Sequence, residues 1–260
     1  PPIPSVEGAG AVEIDPERLR EALEHVVFAA ATDDSRPVLT GVHFAIGPAG
    51  IRLAAADGFR LAVFNLELNG AGQERELIVP ARALQELSRL LGEAQQPTRM
   101  TVNSAQTQVL FDLGHATLIA NLIQGTFPNY QQLIPASSAT HTEVSVNEFK
   151  QETRLASIFA RDGSGIVRLI ATPGAAGVPG RLLVTARAEE VGNNEGEIDA
   201  MVTGEEAKIA FNSRYLQDVL NVLTTDRVAI ETSSPSAPGV LRPVGDDRYV
   251  HVVMPMFVQW

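Results

Sequence analysis

One helix-opening phrase occurs twice in this chain, in the same register, and that repeat constrains the fold more than any other feature. Leu77-Ile78-Val79-Pro80-Ala81-Arg82-Ala83-Leu84-Gln85-Glu86-Leu87 returns as Ile209-Ala210-Phe211-Asn212-Ser213-Arg214-Tyr215-Leu216-Gln217-Asp218-Val219. A constant 132 residues separates Leu77 from Ile209, Arg82 from Arg214 and Gln85 from Gln217. That is about half of 260 residues, so the repeated unit is domain-sized rather than a short solenoid repeat. Upstream, Leu23, Val26 and Val27 fall opposite Leu155, Ile158 and Phe159 at the same spacing. Two copies of one domain are expected.

Length and composition agree with that. A chain of 260 residues suits one or two domains of roughly 100–150 residues each, and an apolar fraction of 45% supplies a core to both. With no cysteine, disulfides and cysteine-ligated metals are excluded. The longest apolar stretches fall far short of the roughly 20 residues of a membrane helix. Pro1-Pro2-Ile3-Pro4-Ser5 lacks the basic and apolar regions of a signal peptide. The expectation is a soluble intracellular protein in which residues 1–10 are a linker remnant, cut from something longer. The formal charge of −11 argues against wholesale phosphate neutralisation as a way of gripping nucleic acid, but not against a local basic surface.

Periodicity predicts the elements. Val12 to Ile14 reads as a strand, and Asp15-Pro16 as an N-cap followed by proline at the first helical position. Leu19, Ala22, Leu23, Val26 and Val27 then form the apolar stripe of an amphipathic helix. Strands are expected at Leu39 to Ile46, Ile51 to Ala56 and Arg60 to Leu68, with Asp57-Gly58 as a turn. Another at Glu76 to Val79 leads into a helix from Ala81 to Leu91, followed by strands at Met100 to Val102, Gln108 to Leu113 and His115 to Leu122. The second half repeats the order. It has a strand at Glu143 to Val146, a helix from Asn147 to about Ala160, and strands at Val167 to Ala171, Arg181 to Glu189 and Glu197 to Val202. Lys208 to Phe211, a helix from Ser213 to Leu223, and strands at Val228 to Thr232, Gly239 to Pro243 and Tyr249 to Met254 complete it. Asp33-Asp34 and Asn193-Asn194 read as loops and Asp246-Asp247 as a hairpin turn. Two helices on a largely antiparallel sheet, twice over, is an α+β arrangement. Phe127 to Ser138 is the expected boundary, giving domains at 11–136 and 137–260.

Five runs in order carry a resemblance. Ser35-Arg36-Pro37-Val38-Leu39-Thr40-Gly41-Val42, Ala55-Ala56-Asp57-Gly58-Phe59-Arg60-Leu61-Ala62, Gly125-Thr126-Phe127-Pro128-Asn129-Tyr130, Phe211-Asn212-Ser213-Arg214-Tyr215-Leu216 and Val252-Val253-Met254-Pro255-Met256 resemble the bacterial DNA polymerase III beta subunits, the sliding clamps. Such a subunit has three similar domains and closes as a head-to-tail dimer around DNA. This chain resembles the second and third. The resemblance implies a non-catalytic processivity factor with no cofactor and no metal, cytoplasmic and associated with the nucleoid. Its implied partners are double-stranded DNA, held without sequence preference, the replicative polymerase catalytic subunit, the clamp loader and repair proteins.

The resemblance also assigns residues. Lys150, Arg154 and Arg161 share one helix face at 100° per residue, as do Arg82 and Arg89, and Arg214 occupies in the second copy the place of Arg82. From the residues alone these are solvated helix faces or a basic surface; the resemblance makes them DNA-facing. In the family a pocket between the second and third domains captures short peptide motifs. Carried over, its lining is Arg36, Leu39, Gly58, Phe59, Arg60, Leu61, Pro128, Gln132 and Leu133 from the first half. Asn212, Tyr215, Pro238, Val240, Val252, Met254, Pro255 and Met256 come from the second. The two methionines suit a surface that accepts several related motifs. Ile158 and Phe159 correspond to the subunit interface. Ala56, Phe59 and Gln132 depart from the usual polar residues of the family, and the tail Phe257-Val258-Gln259-Trp260 is longer and more aromatic than usual.

Catalytic chemistry is absent from the pattern. The histidines at 25, 43, 115, 141 and 251 lack metal-ligand spacing, and neither a glycine-rich phosphate loop nor a nucleophile elbow is present. Two other readings fit the length: an intact two-domain clamp that closes as a trimer, and a small-molecule binder whose duplicated halves form a cleft.

Overall fold

A computed structural model of the chain describes residues 11–68, 74–161, 164–175, 178–188 and 192–260. The linker expected at 1–10 lies outside them. The chain separates into two compact units between Asn129 and Tyr130, ahead of Ala136 and within the proline-bearing stretch.

The first unit runs β1 (Val12–Ile14), α1 (Pro16–Val26), β2 (Gly41–Gly47), β3 (Gly50–Ala56), β4 (Arg60–Glu67), β5 (Arg75–Pro80), α2 (Ala81–Leu91), β6 (Thr98–Val102), β7 (Gln108–Asp112) and β8 (Thr117–Asn121). All its strand pairs are antiparallel, in the orders β4-β3-β2-β5 and β1-β6-β7-β8. The Asp15 carboxylate caps α1 by accepting from the Arg18 amide at 3.0 Å, and Pro16 opens it, so the helix starts where its orphan N–H groups are answered. Leu19, Ala22, Leu23 and Val26 are completely buried, against β3, β4 and α2. The stripe read from spacing is the core face.

The second unit runs β9 (Thr140–Ser145), α3 (Val146–Arg161), β10 (Ile166–Thr172), β11 (Gly180–Ala188), β12 (Gly192–Gly204), β13 (Ala207–Asn212), α4 (Ser213–Val222), β14 (Arg227–Thr232), β15 (Gly239–Pro243) and β16 (Tyr249–Val253). Its strands follow the order β13-β10-β11-β12-β9-β14-β15-β16. Position for position this is the order of the first unit, with one change. The long β12 pairs with β11 through residues 192–200 and with β9 through 201–204, so it joins what are separate sheets in the first unit. The expected α+β fold holds, each unit carrying two helices that pack on antiparallel sheet. The repeated phrase builds β5 into α2 and β13 into α4.

Three expectations change. Asn193 and Asn194 are not loop residues: they sit in β12 opposite Arg187 and Ala186. A strand with a face open to water carries polar residues at alternate positions, so its sequence lacks the apolar alternation by which strands are read. Leu39 precedes the strand assigned to it, in a 3-10 turn (Pro37–Thr40) closed by the Leu39 amide on the Arg36 carbonyl at 2.9 Å and the Thr40 hydroxyl on the Pro37 carbonyl at 2.7 Å. His115 likewise lies before β8, beyond a turn in which Gly114 takes a φ of +81°.

The chain leaving the last strand of each unit returns to the same place. After β8, the Ile123 amide donates to the Ile78 carbonyl at 2.9 Å, and Phe127 stacks on His43, ring centroids 5.2 Å apart. After β16, the Met256 amide donates to the Ala210 carbonyl at 2.7 Å, and the Trp260 ring lies 5.9 Å from the Arg168 guanidinium. His43 is the register partner of Ile78, and Arg168 of Ala210.

Candidate motif-binding and DNA-facing residues

In the first unit the residues assigned to a peptide pocket surround the β3–β4 turn. Asp57 organises it. Its carboxylate accepts from the Phe59 amide at 2.8 Å and the Arg60 amide at 3.0 Å, and its second oxygen takes the Arg60 Nε at 3.0 Å. Gly58 lies between them with φ +93°, a left-handed conformation that side chains rarely adopt. A Cβ there would come 3.2 Å from Arg36 Nη1, so the Arg36 guanidinium lies against the bare glycine. Phe59, held at the tip, is 60% exposed.

Arg60 is engaged within its own unit. Its guanidinium is buried, paired with Asp57, and donates through Nη2 to the Phe28 carbonyl at 2.8 Å while lying 5.3 Å from the Phe28 ring centroid. It ties the turn to the end of the first helix. Leu39 and Leu61 are buried core residues, and Pro128 is exposed.

In the second unit, Gln132 and Leu133 occupy an exposed 3-10 turn (Gln131–Leu133). Asn212 is the N-cap of α4: its side-chain oxygen accepts from the Arg214 amide at 2.9 Å. Tyr215 and Pro238 are half-buried, and Val240 and Val252 are buried register partners on β15 and β16. The segment after β16 presents Met254 and Met256 to solvent on either side of the half-buried Pro255. Each unit thus offers exposed apolar side chains over a closed core.

Residues 13–129 match the central domain of the DNA polymerase III beta subunit, and residues 131–257 match its C-terminal domain. The beta sliding clamp of Synechococcus elongatus is 31% identical over 98% of this chain and 68% of its own length. That of Staphylococcus aureus (strain N315) is 30% identical over 98% of this chain and 66% of its own. A crystal structure of the Bacillus subtilis DNA polymerase sliding clamp superposes with a TM-score of 0.92 at 28% identity, covering 100% of this chain and 67% of that one. The chain belongs to the beta sliding clamp family. It spans about two thirds of the length of the clamps it matches. Successive matches to the central and C-terminal domains of the beta subunit favour that family over the two-domain trimeric clamps.

Sliding clamps are non-enzymatic, and no group of three or more His, Asp or Glu able to hold a metal occurs among the described residues. Of the basic residues assigned to the DNA side of the clamp, Arg82, Lys150, Arg154 and Arg214 are exposed and form no ion pair among the described residues. Arg89 differs. Both its Nε, at 3.1 Å, and its Nη2 hydrogen-bond the Glu86 carboxylate one turn back, which holds Glu86 below the ordinary carboxylate range and raises Arg89. The Arg161 side chain lies outside the described residues. At the positions that the resemblance assigns to a subunit interface, Ile158 is 52% exposed and Phe159 half-buried.

Proposed function

We propose that this chain serves a DNA sliding clamp, encircling duplex DNA and tethering the replicative polymerase, the clamp loader and repair proteins through short peptide motifs. The observation that carries the reading is the unbroken succession of the two beta-subunit domains over residues 13–129 and 131–257. The charge supports it. A protein of net charge −11 is a poor phosphate-gripper, whereas enclosure of the duplex requires only a few unpaired cations such as Lys150 and Arg154. Polymerisation itself belongs to the holoenzyme, and the site of action is the nucleoid.

Motif recognition rests on the exposed apolar groups: Phe59 beside Arg36 and Gly58, and Leu133, Met254 and Met256. Peptides carrying a glutamine followed by spaced leucine and phenylalanine should bind with roughly micromolar affinity, about 8 kcal/mol. Phe59→Ala and Met254→Ala should each weaken this about tenfold, as removal of an apolar anchor does. Leu61 is unsuitable for the test because it is 2% exposed and its truncation opens a core cavity. Calorimetry showing no binding to the unaltered chain, or no loss in either variant, would make the motif-site reading wrong.

A further inference from the structure

The tail after β16 is a second copy of a strap that the first unit closes completely. In the first unit the strap is anchored at Ile123, by its amide on the Ile78 carbonyl, and pinned four residues later by Phe127 on His43. In the second it is anchored at Met256, by its amide on the Ala210 carbonyl, and pinned four residues later by Trp260 on Arg168. The pinned residues occupy the same register position, opposite the anchoring carbonyl. Phe127 is buried to 9% exposure, whereas Trp260 remains 46% exposed and Phe257, between anchor and pin, 93% exposed. One strap is part of the core; the other is a surface latch.

We infer that Trp260 and Arg168 form a latch that positions Met254 and Met256 for motif binding. The inference rests on the motif-site reading given above. The chain leaves β16 at Val253 and, among the described residues, is next fixed at Met256 and then at Trp260, so Met254 and Pro255 are held between the last strand and a Met256 anchor that the latch secures from the far side. A cation beneath an indole face attracts it without the burial that locks Phe127 in place. Releasing the latch leaves the Met256 amide as the one described anchor of the methionine segment, which then frays from its free end, and a ligand must order it at its own expense. Trp260 and Arg168 are positioning residues; they need not touch the peptide.

The chain contains one tryptophan, so its emission reports the latch alone. The 260-residue protein is titrated with a peptide containing glutamine, leucine and phenylalanine, by calorimetry and by tryptophan emission. Arg168→Gln should shift Trp260 emission to the red. Arg168→Gln and Trp260→Ala should each weaken the peptide roughly three- to tenfold, the ordering cost of one or two side chains, with an unchanged melting temperature. Trp260→Phe should restore most of the affinity. Wild-type affinity in both Arg168→Gln and Trp260→Ala overturns the latch and leaves the motif site standing. If the unaltered chain binds no peptide, the motif-site reading fails and with it the positioning role, whatever the emission shows. Emission insensitive to Arg168→Gln overturns the latch by itself.

Discussion

Helices α1 and α3 carry the same apolar stripe and bury it differently. Leu23 and Val26 are completely buried and Val27 nearly so; their counterparts Leu155 and Ile158 are 41% and 52% exposed, and Phe159 is half-buried. The two helices end differently. Past Val26 the chain of the first unit tightens into a 3-10 turn (Val27–Ala29), and Arg60 draws it onto β4 through the Phe28 carbonyl and ring. His25 adds a ring contact to Phe64 at 5.1 Å. α3 instead continues to Arg161, carrying Ile158 out along the helix. Apolar side chains at matched positions are therefore core in one copy and surface in the other. A solvent-facing Leu155–Ile158 pair at one end of a helix is the kind of apolar patch that marks a contact with another molecule, which supports the proposed subunit interface.

The strongest way to break this contrast is to charge both helices. Val26→Asp places an unpaired carboxylate in a fully buried position and should cost about 3–5 kcal/mol, enough to threaten folding. Ile158→Asp should stay within about 0.5 kcal/mol of the unaltered chain, as surface substitutions do. Urea unfolding measures both. Equal costs would mean that Ile158 is core after all, and the distinction between the two copies would collapse.

How far the sequence reveals such differences depends on what kind of signal carries them. The stripe of α1 and the β5–α2 and β13–α4 junctions are legible because periodicity and caps are local. The resemblance, rather than periodicity, singles out Ile158 and Phe159; no repeat records what packs against a helix end. The resemblance assigns Arg60 to the pocket; its contact with Phe28, 32 residues away, is not legible in the sequence, although Asp57 three residues before it is a visible hint of the ion pair. The straps are silent in the sequence because they have no periodic pattern. Their signature is an aromatic residue six or seven positions past the end of the final strand, which becomes visible only when the copies are aligned.

A second contrast separates the basic faces of α2 and α3. Arg89 is neutralised by Glu86, whereas Lys150 and Arg154 have no carboxylate partner among the described residues. Binding of duplex DNA to this acidic chain should be weak and steeply salt-dependent. Lys150→Ala with Arg154→Ala should lower the slope of log K against log salt by about 2, close to 0.9 for each phosphate no longer neutralised. Arg89→Ala should barely change it, and Glu86→Gln, which releases Arg89, should raise affinity. Fluorescence anisotropy at several salt concentrations reads all three. A large drop in affinity in Arg89→Ala would show that the Glu86 pair opens on DNA and that the faces are equivalent.

The smallest effect distinguishes the two straps by their chemistry. His43, under Phe127, is buried, and burial pushes its imidazole below the ordinary value, partly opposed by the Glu76 carboxylate 3.6 Å from its Nε2. The second strap has no histidine at this position; its counterpart is Arg168. For His43 the unfolded chain takes up a proton before the folded one as pH falls. Its contribution to stability is therefore intact above about pH 6.5 and lost as pH drops from there through the lower folded value, with a slope of at most about 1.4 kcal/mol per pH unit. Acidification should lower the protection of the Ile123 amide, measured as its exchange relative to the intrinsic rate at each pH, and leave the protection of the Met256 amide, which anchors the second strap, unchanged. His43→Gln should flatten the response at Ile123. A parallel loss of protection at both amides would instead mean that the straps open with their whole units, and that the buried histidine makes no difference between them.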